Sequence, residues 1–289
     1  MSVKTLAPFL GRSCTSSIRR FATPGAFLSL SEPGERAAAP DVLLPRNEVP
    51  EGAKVGDELE VFVYLDSEGR PAASTYQAKV EMGQVAFLEV VALSKFGAFV
   101  DWGLPKQLLV PFAEQTRRLV VGQREPIGLY QDSSGRLAGT MRVTEMLHHR
   151  ASEFELDEWV EGEAWRNDPD IGLFVIVERQ FVGLVPKHEP HGLSRGEAAR
   201  FRVTQRLEGE KMELSLRGLA HEERANDAQK ILSALAAPKP PRIGDASSPE
   251  EIRRLFGISK KAFKRAVGAL LRAGTVELDP QGFVVLTKR

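Results

Sequence analysis

The sequence is poor in cysteine and in aromatic residues, and it contains no long apolar run. Cys14 is the single cysteine among 289 residues, which excludes a disulfide within the chain and favours a reducing compartment. No segment approaches the ~20 apolar residues that a membrane-spanning helix requires, so we expect neither a membrane span nor a membrane partner. We therefore expect a cytoplasmic protein.

Motifs for catalysis are missing as well. The sequence has no phosphate-binding loop, no dinucleotide-binding glycine pattern and no nucleophile motif. Histidines occur as the pair His148 and His149 and as His188 and His191, which are too few ligands for a metal centre. We expect a protein that is not an enzyme and that has no catalytic residues, no cofactor and no metal.

Positive charge is unevenly distributed along the chain. The 39 basic and 39 acidic residues cancel overall. Residues 238–289, however, contain 11 Lys or Arg against 5 Asp or Glu, whereas residues 151–237 contain 11 against 17. Basic charge concentrated at one end is typical of a nucleic-acid contact.

The N-terminal segment 1–21 contains Arg12, Arg19 and Arg20 and no acid, a composition that resembles an organellar transit peptide. A repeated pattern that begins in the same region offers a competing interpretation. Its first copy requires a β-strand within residues 10–22, and we favour this second interpretation.

Three copies of one pattern occupy the segment 1–218. Each copy opens with Gly-Ala-Phe or Gly-Leu-Phe and continues to a proline, a second glycine and a turn glycine. The spacings between these positions nearly agree, except that the first copy is longer before its proline, where residues 31–40 form an inserted loop. The positions are Gly25, Pro45, Gly56 and Gly69; Gly97, Pro111, Gly122 and Gly135; and Gly172, Pro186, Gly196 and Gly209.

Within each copy, short apolar–polar alternations are separated by Gly, Pro or Asp-Ser turns. This arrangement is typical of small antiparallel barrels or sandwiches. Units of roughly 70 residues are near the lower limit for an independent hydrophobic core. We therefore expect neighbouring units to pack against one another.

Beyond residue 238 the apolar period becomes that of helices. Residues 248–251 (SPEE) form a capping box, and Ser259 begins a second helix. Leu255 in the first helix and Leu271 in the second fall on the apolar sides. A hairpin follows, so the segment predicts a winged helix-turn-helix.

The polar face of the second helix is basic. Cations on such a face favour binding to backbone phosphates without much choice of sequence, although an ordinary solvated helix face is the alternative. The candidate residues are Lys260, Lys261, Lys264, Arg265 and Arg272.

The second copy resembles an S1-type RNA-binding OB-fold. Residues 96–102 (FGAFVDW), 107–112 (QLLVPF) and 130–139 (YQDSSGRLAG) follow the order of that family's motifs. All three copies have proline where the S1 domain places a binding histidine.

The chain as a whole resembles the conserved virulence factor B family of bacterial RNA-binding proteins. The matching motifs are VGDELEVFVYLDSEGRP, FGAFVDWGLPKQLLVPF, GEKMELSL and ASSPEEIRRLFGISKKAFKRAVGAL. The resemblance implies a mainly β chain with a C-terminal α+β module, in which three tandem S1-like OB-fold barrels precede a winged helix. We expect barrels at 1–77, 78–147 and 148–218, a helix with a Pro-rich linker at 219–242, and the winged helix at 243–289.

Aromatic residues of the second copy are the main candidates for contact with bases. OB-folds that hold single strands need exposed rings on which bases stack and cations along the backbone path. We expect Phe96 and Trp102 to be exposed, because the other copies lack them. Phe99 is repeated as Phe27 and Phe174, and for these three rings a position in the core is the alternative. The full set of barrel candidates is Phe96, Phe99, Trp102, Lys106, Arg136 and Arg142 in the second copy, and Phe174, Arg179 and Lys187, beside Phe181, in the third.

These features support three hypotheses. The first is a monomeric RNA-binding protein that binds single-stranded RNA and regulates gene expression after transcription. The second is a transcriptional regulator that binds duplex DNA through the winged helix. The third is a factor associated with the ribosome or with translation.

Overall fold

The protein is described from a computed structural model that covers residues 6–30, 41–66, 68–218 and 220–287, with the backbone alone for 220–226. The inserted loop predicted at 31–40 lies outside the described residues. The chain divides into two compact units, Met1–Leu216 and Arg217–Arg289.

Three successive five-stranded sheets form the N-terminal unit. The first contains β1 (Ser13–Ala22), β2 (Gly25–Ser29), β3 (Asp41–Pro45), β4 (Glu58–Leu65) and β5 (Pro71–Ser74). The second contains β6 (Val85–Leu93), β7 (Gly97–Asp101), β8 (Leu108–Pro111), β9 (Arg124–Gln131) and β10 (Leu137–Thr140). The third contains β11 (Trp159–Asp168), β12 (Gly172–Val177), β13 (Phe181–Pro186), β14 (Ala198–Leu207) and β15 (Lys211–Ser215).

All three sheets have the strand order of an OB-fold. The first and third close into barrels in the order β1-β2-β3-β5-β4 and β11-β12-β13-β15-β14. The second has the same order, β10-β9-β6-β7-β8, but β8 and β10 are not joined by a backbone pair within the described part of the chain. Gly139 of β10 instead packs against the side chain of Val110 in β8. The prediction of three tandem OB-fold barrels is confirmed, and β1 is the strand predicted within residues 10–22.

The glycine that opens each repeat is required by a close approach of two strands. A Cβ atom on Gly25, Gly97 or Gly172 would lie 2.0–2.1 Å from a carbonyl oxygen of the third strand of its barrel. Real Cβ atoms do not approach backbone oxygen so closely. The glycine therefore lets the second and third strands pair over their full length.

A glutamate three positions after each repeat proline ties the barrel together. The carboxylates of Glu48, Glu114 and Glu189 accept hydrogen bonds of 2.6–2.7 Å from hydroxyl groups at the end of the fifth strand. The donors are Ser74, Thr140 and Ser215. The sequence analysis missed this Pro-x-x-Glu element, although its spacing is the same in all three copies.

Neighbouring barrels share buried residues, as expected for units of this size. Phe62 of the first barrel belongs to the same buried cluster as Val100 and Ile127 of the second. Phe87 of the second barrel packs in one cluster with Ile176 of the third.

The C-terminal unit contains α1 (Ala220–Leu235), α2 (Pro249–Phe256), α3 (Lys260–Arg272), β16 (Val276–Leu278) and β17 (Val284–Leu286). The hydroxyl of Ser248 accepts a hydrogen bond from the Glu251 amide at 3.1 Å, which confirms the predicted cap. Ile231 of α1 is buried with residues of α2 and α3, so α1 forms part of this core. Among the helices of the described residues, none has the length and apolar character needed to span a membrane.

Two leucines of this unit are less buried than the apolar pattern predicted. Leu255 in α2 and Leu271 in α3 are both exposed. Neither belongs to the buried cluster that the helices and the β16–β17 hairpin form in the described residues.

Candidate nucleic-acid interface

A tight turn between β6 and β7 displays Phe96 on the surface of the second barrel. The Ser94 amide donates to the Gly97 carbonyl at 2.8 Å, and the Phe96 amide donates to the Ser94 hydroxyl at 3.2 Å. Phe96 therefore precedes the strand and does not follow its alternation. Its side chain is 63% exposed, as the sequence analysis predicted.

A second exposed ring, Phe112, lies beside Phe96. The Phe112 amide donates to the Phe96 carbonyl at 3.2 Å, and its side chain is 58% exposed. Phe112 was not among the predicted site residues. Its position directly after the repeat proline, where the other two copies have Arg46 and Lys187, could have indicated it.

Phe99 completes the aromatic surface. Ala98 and Val100 point into the barrel and are fully buried, whereas Phe99 points outward and is half-buried. Phe27 and Phe174 have the same partial burial, and Phe174 packs against the buried cluster that contains Phe87 and Ile176. We call Phe96, Phe99 and Phe112 the aromatic platform.

A bulge in the first strand of each barrel decides what covers this repeated phenylalanine. The residue opposite it across the strand pair is Arg20 in the first barrel, Ala92 in the second and Arg166 in the third. The Arg20 guanidinium lies 3.6 Å from the centre of the Phe27 ring, and the Arg166 guanidinium lies 4.7 Å from that of Phe174. Within the described part of the chain, no cation covers the ring of Phe99.

Trp102 is buried, so the prediction that it is exposed is wrong. Its side chain is 4% exposed, and its indole N–H donates to the carbonyl of Lys106. The ring packs edge-on against Phe62, with centroids 5.4 Å apart. The first barrel covers this side of the second, so Trp102 is a barrel–barrel contact and not a stacking surface.

The predicted cations of the second barrel are exposed but separated. Arg142 donates to the Ala113 carbonyl at 3.0 Å, which places it beside Phe112. Arg136 lies in the β9–β10 turn, one of the loops that OB-folds use for oligonucleotides. Lys106 lies in the β7–β8 loop, at the opposite end of β7 from Phe96, so it is not part of the platform.

Asp132 and Tyr130 lie near the basic side chains of the second barrel. Partial burial raises the pKa of Asp132, but hydrogen bonds from Ser134 and from the Arg136 amide outweigh this effect and hold the pKa below its ordinary value. The pKa of Tyr130 is raised, first by burial and then by the charges of Glu114 and Asp132. Tyr130 therefore stays a neutral hydrogen-bonding group at physiological pH.

The candidates of the third barrel do not form one cluster. Phe174 lies under Arg166, and the carbonyl of Arg179 accepts a hydrogen bond from the Val85 amide of the second barrel at 2.7 Å. Lys187 is exposed at the other end of the β12–β13 hairpin. Phe181, which was expected on the same surface, is buried edge-on against Phe154, with centroids 5.0 Å apart.

The basic helix of the C-terminal unit is α3. Lys260 is half-buried and donates to the Ser247 carbonyl at 2.9 Å, and Lys264 forms an ion pair with Asp245 at 2.7 Å. That hydrogen bond lowers the pKa of Asp245. Arg272 is exposed at the end of the helix, and Lys261 and Arg265 are exposed without a carboxylate partner in the described residues.

Comparisons with known proteins match both units. Residues 10–76 match the S1 domain family, and residues 229–284 match the CvfB-like winged helix domain family. The chain is 28% identical over 251 residues to conserved virulence factor B of Staphylococcus epidermidis, covering 82% of each protein. It is also 28% identical to the Staphylococcus aureus N315 protein of that name, over 82% of this chain and 81% of the relative.

A solved structure also matches nearly the whole chain. It is a multidomain protein with nucleic acid binding domains from Streptococcus pneumoniae, which is 25% identical with a TM-score of 0.40 and covers 96% of this chain and 99% of its own.

The S1 match falls on the first barrel, although the motifs that suggested an S1 domain lie in the second. The first and second barrels share the repeated pattern and the same strand order. The S1 domain and the winged helix domain support binding of a nucleic acid. The predicted resemblance is confirmed: the chain matches an S1 domain and a CvfB-like winged helix domain and is similar to the conserved virulence factor B proteins over 82% of its length.

Proposed function

We propose that this protein binds single-stranded RNA and acts in the cytoplasm as a regulator after transcription. The observation that supports this best is the exposure of two large aromatic side chains, Phe96 and Phe112, on adjacent, hydrogen-bonded segments. Bases of a single strand stack on such rings with about 1–3 kcal/mol each, and any base can do so. In a duplex the bases are already stacked and do not reach the platform.

The cations around the platform fit the same ligand. Arg142 lies beside Phe112, and Arg136 lies in the loop between the fourth and fifth strands. An OB-fold places an oligonucleotide across its second and third strands and between its loops. This path would bring phosphates near both arginines while bases stack on the platform.

The alternative is a regulator that binds duplex DNA through the winged helix. Lys261 and Arg265 favour this alternative, because both are exposed and neither is neutralised by a carboxylate in the described residues. The same two residues could instead contact RNA phosphates.

Fluorescence anisotropy of the full-length protein distinguishes these functions. The ligands are a labelled oligo-U RNA and a duplex DNA of equal length, each measured at two salt concentrations. We expect tighter binding to the RNA at both. Preference for duplex DNA would contradict the proposal, and co-sedimentation with ribosomes without binding to free oligo-U would favour a translation-associated role.

A double variant of α3 tests whether the winged helix contacts the phosphates. For Lys261→Gln with Arg265→Gln we expect the slope of log affinity against log salt to fall by about 1.4, because each single-strand phosphate contact contributes about 0.7. Arg253→Gln with Arg254→Gln on α2 removes the same charge and serves as the control. An unchanged slope in the α3 variant would show that this face contacts no phosphate.

A further inference from the structure

A groove lined by arginines runs along the junction of the second and third barrels. Two adjoining depressions of ≈ 620 and ≈ 530 Å³ share the side chains of Arg117, Glu125 and Arg195. We call their combined lining the arginine groove. Its charged residues are Arg117, Arg118, Arg124, Arg166, Arg195 and the single carboxylate Glu125.

Some of these arginines form hydrogen bonds and ion pairs that hold the second and third barrels together. Glu125 is 6% exposed and accepts hydrogen bonds from the guanidinium groups of Arg117 and Arg195, the latter at 2.8 Å. Arg124 donates to the carbonyls of Phe87 and Gly196, and its guanidinium lies 3.3 Å from the Glu163 carboxylate. Two arginines around one buried carboxylate still leave positive charge at the surface, because both guanidinium groups remain partly exposed.

The remaining two arginines form no ion pair with a carboxylate in the described residues. Arg118 is exposed and has no hydrogen-bond or ion-pair partner in the described part of the chain. Arg166 has no carboxylate partner there either, and its guanidinium lies 5.6 Å from the ring centre of Trp165 and 4.7 Å from that of Phe174. A guanidinium that lies over aromatic rings without a carboxylate partner retains N–H groups that can bind an oxyanion.

The other polar groups of the groove suit the same ligand. Thr116, Thr144 and Asn167 line it with hydroxyl and amide groups that can donate hydrogen bonds. Arginine matches the geometry of phosphate oxygens with two parallel N–H groups, and threonine and asparagine commonly add single bonds to phosphate.

The arginine groove is also next to the aromatic platform. Met141 and Val143, which flank Arg142, both line the groove. Because Arg142 bonds to the residue after Phe112 and lies between two lining residues in sequence, the groove begins close to the platform.

We propose that the arginine groove binds the sugar–phosphate backbone of RNA as it leaves the aromatic platform, with Arg118 and Arg166 as direct phosphate contacts. This inference rests on the proposed RNA-binding function and extends the site from one barrel to the junction of two. Unpaired arginines from two different barrels, polar donors between them and continuity with the platform all support it.

The test is Arg118→Gln with Arg166→Gln in the full-length protein, measured by anisotropy with labelled oligo-U RNA across a salt series. Arg117 and Arg195 are kept, because they neutralise buried Glu125. We expect affinity to fall about tenfold near physiological salt and the salt slope to fall by about 1.4, which corresponds to two single-strand phosphates. The control is Arg12→Gln with Lys211→Gln, which removes the same charge from exposed positions outside the groove.

The outcomes separate this inference from the proposed function. If the wild-type protein binds oligo-U and the groove variant has the slope of the control variant, the groove inference is wrong and the proposed function stands. If the wild-type protein does not bind oligo-U, the proposed function fails first. If loss of Arg166 impairs folding, Arg118→Glu alone tests the inference, because this exposed side chain has no hydrogen-bond or ion-pair partner in the described residues. Reversing its charge must still lower the salt slope.

Discussion

Gly97→Ala is expected to destabilise the second barrel by about 2–6 kcal/mol. The new Cβ atom would lie 2.1 Å from the carbonyl oxygen of Val110, and the obstacle is backbone of the paired strand β8, which cannot rotate away. Overpacking costs about 1–3 kcal/mol. The backbone of Gly97, with φ +156°, is strained for any other residue and adds about 1–3 kcal/mol.

Urea unfolding followed by tryptophan fluorescence measures this effect, because Trp102 is buried in the affected barrel. Gly192→Ala is the matched control, since a Cβ there meets no atom within 4 Å and its φ lies outside the positive range that favours glycine. We expect its unfolding midpoint to equal that of the wild type. A Gly97→Ala protein as stable as the control would refute the close approach of β7 and β8.

Phe96→Ala with Phe112→Ala should reduce the affinity for oligo-U RNA about a hundredfold or more. Each ring is expected to stack one base at about 1–3 kcal/mol, and about 1.4 kcal/mol corresponds to a factor of ten. The salt slope should stay constant, because no cation is removed. The unfolding midpoint should also stay constant, since both side chains are mostly exposed. Anisotropy over a salt series and urea unfolding measure the two effects.

Two further variants show whether the loss is specific. Val55→Ala with Val121→Ala removes two apolar side chains of similar exposure that have no aromatic face, and should leave RNA affinity unchanged. Trp102→Ala should instead lower stability by about 3–5 kcal/mol, because it removes a buried ring from the contact with Phe62. If the double phenylalanine variant binds RNA as the wild type does, the platform is not the RNA site.

Much of the local structure could be predicted from the sequence. The repeated glycines, prolines and turn residues placed the strands of three barrels, because a turn or a close strand pair tolerates few residue types. The helical period of the apolar residues and the Ser248 cap placed the helices of the C-terminal unit for a similar reason.

The exposure of individual aromatics was predicted less well. Phe96 was placed correctly, because a residue before the glycine of a hairpin turn has few neighbours. Trp102 was placed wrongly, and Phe112 was not recognised. Trp102 is buried by Phe62, which belongs to the preceding barrel and lies far away along the chain, so no pattern around Trp102 reveals its environment.

The sequence by itself determined where the strands and helices lie, the order of the barrels and the basic face of α3, because these depend on alternation, turn residues and charge within short segments. Tertiary structure alone decided which side chains remain available to a ligand. The barrel contact that buries Trp102 and the groove that arginines of two barrels line both depend on residues distant in sequence. The physical reason is that neighbours along the chain determine the backbone conformation of a residue. Its burial and the charge around it depend instead on the segments that pack against it.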